Sequence, residues 1–105
     1  MNLFFSNEQI KIKVNRDSIC MSDDIENHQE EFTYDKSTTI EQFSKIVYEF
    51  YLPKIDGEWR LQLKNGDVLF VYNQRDNVIE YLVESREKIA NYAQKGELNF
   101  YHRYF

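Results

Sequence analysis

Two histidines, one cysteine and a run of carboxylates are the residues of this chain that could do chemistry. His28 and His102 are the only histidines. With a lysine nearby, such a pair could cleave RNA, one ring taking a proton while the other gives one. Nothing in their spacing brings them together, and the acids around His28 would repel a phosphate backbone. Read structurally, His28 is a solvated loop residue and His102 packs among the aromatics near the end of the chain. Cys20 could act as a nucleophile with His28 as its base. Neighbouring carboxylates raise a thiol's pKa, however, and a small half-buried hydrophobe is the simpler role. Asp17, Asp23, Asp24, Glu26 and His28 offer donors for a cation such as calcium, but lack the alternation and the glycine of an EF-hand loop. There is no Gly-rich phosphate loop and no second cysteine to help hold zinc. The reading at this level is of a protein that is not an enzyme, with no catalytic residues, no cofactor and no metal.

The carboxylates carry more information as charge than as ligands. Eighteen acids face thirteen bases, giving a net charge of −5. Six of those acids (Asp17, Asp23, Asp24, Glu26, Glu30, Glu31) fall between positions 17 and 31, where there is no Lys or Arg. The rest of the chain has twelve acids against thirteen bases and is close to neutral. A local negative patch disfavours direct nucleic-acid binding and attracts a basic surface, speeding encounter with it. The plainer reading is a solvated segment that keeps the protein soluble.

A body must hold that segment, and 105 residues suit one domain, taken as residues 1–105. With 42% hydrophobic residues, three glycines and one proline, the chain can build a core and is neither collagen-like nor low-complexity. A lone cysteine makes no internal disulfide, which favours a reducing, cytoplasmic setting. The longest apolar run, residues 68–72, is far too short to span a bilayer. Residues 1–6 lack the basic region and the length of a signal peptide.

Hydrophobic periodicity gives the elements. Ile10, Ile12 and Val14 alternate with Lys11 and Lys13, a half-buried strand. Ile19-Cys20-Met21 could extend a hairpin. Phe32 and Tyr34 share one face of a second strand over 31–35. Thr38 or Thr39 can cap a helix, and Thr38-Thr39-Ile40-Glu41 reads as a capping box that opens it, with Ile40, Phe43, Val47 and Phe50 as its apolar stripe and Pro53 stopping it. Around Asn65-Gly66 the pattern predicts a hairpin with a type I′ turn, pairing Leu63 with Val68, Leu61 with Phe70 and Trp59 with Tyr72. That register puts Leu69 and Val71 on the same face as Arg60, Gln62 and Lys64. Asn77-Val78-Ile79-Glu80 has capping-box spacing and predicts a second helix over 77–95, ended by Gly96. The aromatic residues 98–105 alternate as a last strand. The expected fold is α+β: a mixed sheet in β-β-α-β-β-α-β order, one helix across it and a second, C-terminal helix.

Strand, strand, helix, hairpin and final strand is an order that resembles the β-grasp, or ubiquitin-like, superfamily. Thr39-Ile40-Glu41, followed inward by Phe43 and Val47, is similar to the Thr-Ile-Glu helix start of those domains. The resemblance covers roughly residues 10–72 and implies a fold. Residues 102–105 are His-Arg-Tyr-Phe rather than a Gly-Gly tail, so it carries no conjugation chemistry. Arg60, Gln62 and Lys64 stand where an apolar docking patch would be needed.

Eight Tyr and eight Phe exceed what so small a core can hide, which leaves aromatics such as Tyr48, Tyr51, Tyr81, Tyr92, Tyr101 and Phe105 partly at the surface. Acidity, surface tyrosine and absent chemistry together indicate a protein-binding module whose partner is a basic protein. The concrete form is an immunity or antitoxin protein that masks the active site of a cationic toxin such as a nuclease. Asp23, Asp24, Glu26, Glu30 and Glu31 are the expected contacts, with Tyr34 beside them. The alternatives are a ubiquitin-like adaptor binding through its sheet face (Arg60, Lys64, Leu69) and an enzyme of unrecognised type.

Overall fold

Alternation decides which side of each strand meets the core. The computed structural model describes residues 8–18, 28–94 and 96–104. Its elements are β1 (Gln9–Arg16), β2 (Glu30–Asp35), α1 (Ile40–Phe50), β3 (Glu58–Gln62), β4 (Val68–Asn73), β5 (Val78–Tyr81), α2 (Ala90–Ala93) and β6 (Leu98–Arg103). The six strands form one mixed sheet in the order β2-β1-β6-β3-β4-β5. β1 and β6 run parallel, with Val14 beside Leu98, and every other neighbouring pair is antiparallel. Ile19-Cys20-Met21, Cys20 included, lies outside the described residues.

The inward positions of the strands and one stripe of α1 make a single core. Ile12, Val14, Trp59, Leu61, Phe70, Leu98 and Phe100 are buried against Ile40, Phe43 and Val47 of the helix. Burying a phenylalanine such as Phe43, Phe70 or Phe100 stabilises by roughly 1.5–3 kcal/mol. Trp59 is completely buried, and its indole N–H donates to the Pro53 carbonyl at 3.3 Å. Phe50 departs from the expected stripe. It sits on the last turn of α1 with 78% of its surface exposed.

Of the two threonines that can cap the helix, the second does so, and the capping box lies one residue later than Thr38–Glu41. Thr39 is the N-cap: the Gln42 amide donates to its Oγ1 at 3.1 Å, and the Thr39 amide donates to Gln42 Oε1 at 3.0 Å. Gln42 thus does what was expected of Glu41. The next two orphan amides find partners outside the helix, Ile40 N–H donating to the Glu87 carbonyl and Glu41 N–H to that of Ser85.

Those contacts explain why the second helix is not where periodicity placed it. Residues 78–81 form strand β5, and only one helical turn, Ala90–Ala93, remains of the expected 77–95 helix. Asn77 does not cap; it closes the β4–β5 turn at φ +56, a conformation asparagine tolerates, and accepts a hydrogen bond from the Tyr72 hydroxyl. Val78, Ile79 and Tyr81 favour a strand, and β4 had an edge to offer them. The segment after β5 is then held against the start of α1, where Ile89 N–H donates to the Thr38 carbonyl at 3.0 Å.

The β3–β4 hairpin keeps its expected pairing away from the turn and loses it near the turn. Trp59 faces Tyr72 and Leu61 faces Phe70, but a bulge then sets Gln62 opposite Val68. The turn is not type I′, since Gly66 alone has a positive φ there. Gly66 N–H donates to the Leu63 carbonyl, and the Asp67 amide to Asn65 Oδ1 at 2.9 Å. A three-residue turn ending in a left-handed glycine competes with the two-residue one, and here it wins. The bulge leaves Leu69 completely buried instead of on the polar face.

Candidate protein-binding surfaces

The acidic segment leaves the sheet at the end of β1 and returns at the start of β2. Asp23, Asp24 and Glu26 lie outside the described residues. The others fall into different environments. Asp17 caps the β1–β6 ladder: its amide donates to the Phe100 carbonyl at 3.0 Å, and its Oδ2 accepts from the His102 amide at 2.8 Å. It is a structural acid. Glu31 is exposed, lies opposite Lys13 in the β1–β2 register, and has Lys11 Nζ at 4.0 Å. An exposed pair that long contributes little. Glu30 is also exposed, one position earlier on β2.

Of these, Glu31 borders a groove of about 490 Å³ lined also by Lys11, Lys13, Lys64, Gln29 and Glu97, among others. Gln29 Nε2 donates to Glu97 at 2.7 Å. In this groove three ammonium groups face two carboxylates.

The two aromatic neighbours behave differently from free surface rings. Tyr34 packs edge-on against Phe43 at 5.5 Å. Its hydroxyl is buried without a hydrogen-bond partner among the described residues, and burial pushes its phenol up to about 12. Tyr51 donates to the carbonyl of His28, and the Arg16 guanidinium lies 5.9 Å from its ring centre. Burial raises the Tyr51 phenol above the usual range, which Arg16 opposes and Glu30 and Glu97 reinforce.

At the far end of β6, His102 lies between Trp59 at 4.9 Å and Tyr104 at 4.4 Å. Its Nε2 is 2.9 Å from the Asp56 carbonyl, which can only accept, so that nitrogen carries the proton. The Asp56 side chain receives Nε and Nη2 of Arg75 at 3.2 and 2.7 Å. This guanidinium holds the Asp56 carboxyl below its usual range. The histidine ring thus serves packing and a backbone contact. Among the described residues no three His, Cys, Asp or Glu side chains converge as metal ligands.

The sheet face turned away from α1 carries Lys11, Lys13, Arg60, Gln62 and Asn99. Arg60 and Lys64 are exposed, as expected for a polar face, whereas the buried Leu69 leaves that candidate surface. Sequence reasoning missed the opposite edge of the sheet. There Val78 and Leu82 expose 55% and 51% of their surface, and the β-favouring run Val78-Ile79-Glu80-Tyr81 was the signal for it.

Among the described residues no helix is long and apolar enough to cross a membrane. In comparison with known proteins, the chain matches no family model, no curated sequence and no solved structure.

Proposed function

We propose that the chain is a non-catalytic protein-binding module on a β-grasp plan, and that it works as an acidic immunity- or antitoxin-type inhibitor in the cytoplasm. The plan is supported by the strand order β2-β1-β6-β3-β4, with its central parallel pair and a helix over one face; β5 is then an added edge strand. The function rests on one observation, the concentration of six acids and no bases between positions 17 and 31 on an otherwise balanced chain. Such a segment covers the phosphate-binding surface of a cationic toxin, a nuclease for example, and accelerates the encounter. Structural use of the His102 ring supports a binding role over catalysis.

The test is the rate of association with the basic protein that co-purifies with the tagged chain. Replacing Asp23, Asp24 and Glu26 by their amides should slow association at low salt at least about tenfold and flatten its salt dependence. An unchanged rate at low ionic strength removes the reading.

A second reading is an adaptor that binds through the uncovered sheet face, favoured by the exposure of Arg60 and Lys64 there. It requires that Arg60→Glu and Lys64→Glu abolish binding while the three amide substitutions leave it intact.

A further inference from the structure

We infer that the free edge of β5 is a docking site for an extended, basic segment of a partner protein, which adds a strand to the sheet there. The inference is independent of the acidic 17–31 segment, which belongs to the other end of the sheet. β5 is the last strand of the order, and among the described residues nothing pairs with its outer side. The ladder to β4 says which groups are open. Leu82 N–H donates to the Leu69 carbonyl at 2.9 Å, and antiparallel hydrogen-bonded pairs recur at every second residue. Glu80 with Val71 and Val78 with Asn73 are therefore the bonded pairs. The N–H and C=O groups of Ile79 and Tyr81 point away from β4, toward solvent. Edge strands are commonly blunted by lysine, proline or a covering loop. This one instead shows Val78 and Leu82, more than half exposed.

Charge decides the occupant. From Asp76 to Glu84 there are three acids, Asp76, Glu80 and Glu84, and no base. A second copy of β5 could satisfy Ile79 and Tyr81 in one two-fold register, with Val78 facing Leu82 of the copy. That register also sets Glu80 against Glu80, and like charges directly opposite are unfavourable. A strand that sets lysine or arginine opposite Glu80 and β-branched residues opposite Val78 meets the same edge with opposite charges paired, and Asp76 and Glu84 flank it with the same sign. The acid at the centre of the edge thus disfavours that self-paired register and suits a basic peptide.

The probe is the peptide Lys-Thr-Val-Thr-Lys-Thr-Val-Thr-Lys, titrated into the full chain while amide hydrogen exchange is followed. Exchange at Ile79 and Tyr81 should slow on binding, and Glu80→Lys, an exposed change that leaves the fold intact, should weaken binding roughly five- to tenfold. The Asp23, Asp24 and Glu26 amide variant should bind the peptide like the parent chain. Three results each overturn the inference: unchanged exchange at Ile79 and Tyr81, binding indifferent to Glu80→Lys, or binding lost in the amide variant. A free chain that is already dimeric with a protected Ile79 amide overturns it as well, in favour of self-pairing.

Discussion

The hydroxyls of Ser44 on α1 and Tyr81 on β5 lie 2.8 Å apart, the one side-chain hydrogen bond joining the helix to the outermost strand among the described residues. Ser44 is buried and already donates its only proton to the Glu41 carbonyl at 2.7 Å, so Tyr81 is the donor to Ser44. The edge strand is thereby tied to the core through a group that would otherwise cost energy to bury. Tyr81→Phe should destabilise by about 1 kcal/mol. In a Ser44→Ala background the same change should cost close to nothing. Urea unfolding of the two single variants and the double variant measures that coupling.

Gly57 should tolerate no side chain. Its φ is +115, and a Cβ there would lie 2.2 Å from the Arg103 carbonyl oxygen and 2.8 Å from His102 Nε2. Backbone strain and steric conflict add, so Gly57→Ala should cost about 3 kcal/mol or more by chemical denaturation. Gly66→Ala, where the added atom meets nothing within 4 Å, should show only the cost of its positive φ, about 1 kcal/mol.

Tyr34→Phe should be neutral or stabilising by about 1 kcal/mol, because it removes a buried hydroxyl that has no partner among the described residues. It should also change the alkaline limb of stability. Burial penalises the ionised phenol, so with its pKa raised from 10.0 to about 12 the folded state is unaffected below pH 10 and loses stability as pH rises from 10 toward 12. Thermal melts across that range should therefore fall less steeply for the variant than for the parent. Tyr51 and Tyr72, whose phenols burial also raises, keep the remaining slope.

Asp17→Ala should separate structural acids from docking acids. It leaves the His102 amide without its 2.8 Å acceptor and should cost about 1–2 kcal/mol. The rate of association with a basic partner should change far less than it does in the Asp23, Asp24 and Glu26 variant.

Strands β1, β2, β3, β4 and β6 and helix α1 were legible because each buries one face, and a period of two or of 3.6 marks the face that goes inward. The hairpin register matched the structure where Trp59 and Leu61 meet the core, and failed at Gln62, where the turn sets the pairing. β5 reads as helix in the sequence although its run Val78-Ile79-Glu80-Tyr81 favours a strand. Asn77 and Glu80 stand at helix-capping distance, while the interactions that decide against a helix come from Tyr72, Leu69 and the start of α1, all distant in the chain or in another element. At the candidate site, composition exposed the clustering of acids but not their environments. Nothing local distinguishes Asp17, which caps a ladder, from Glu30, which faces water.

The parallel pairing of β1 with β6 puts Val14 beside Leu98 at the middle of the sheet. On the ribosome, at roughly 5–20 residues per second, the earlier strand waits several seconds for its neighbour to be made. Until then Ile12 and Val14 have β2 and α1 beside them but no strand on the other side of β1, and Trp59 lacks the His102 ring that packs on it. Nascent chains halted before Leu98 should be open to proteases and chaperones, and the native sheet should form only once β6 has emerged from the exit tunnel.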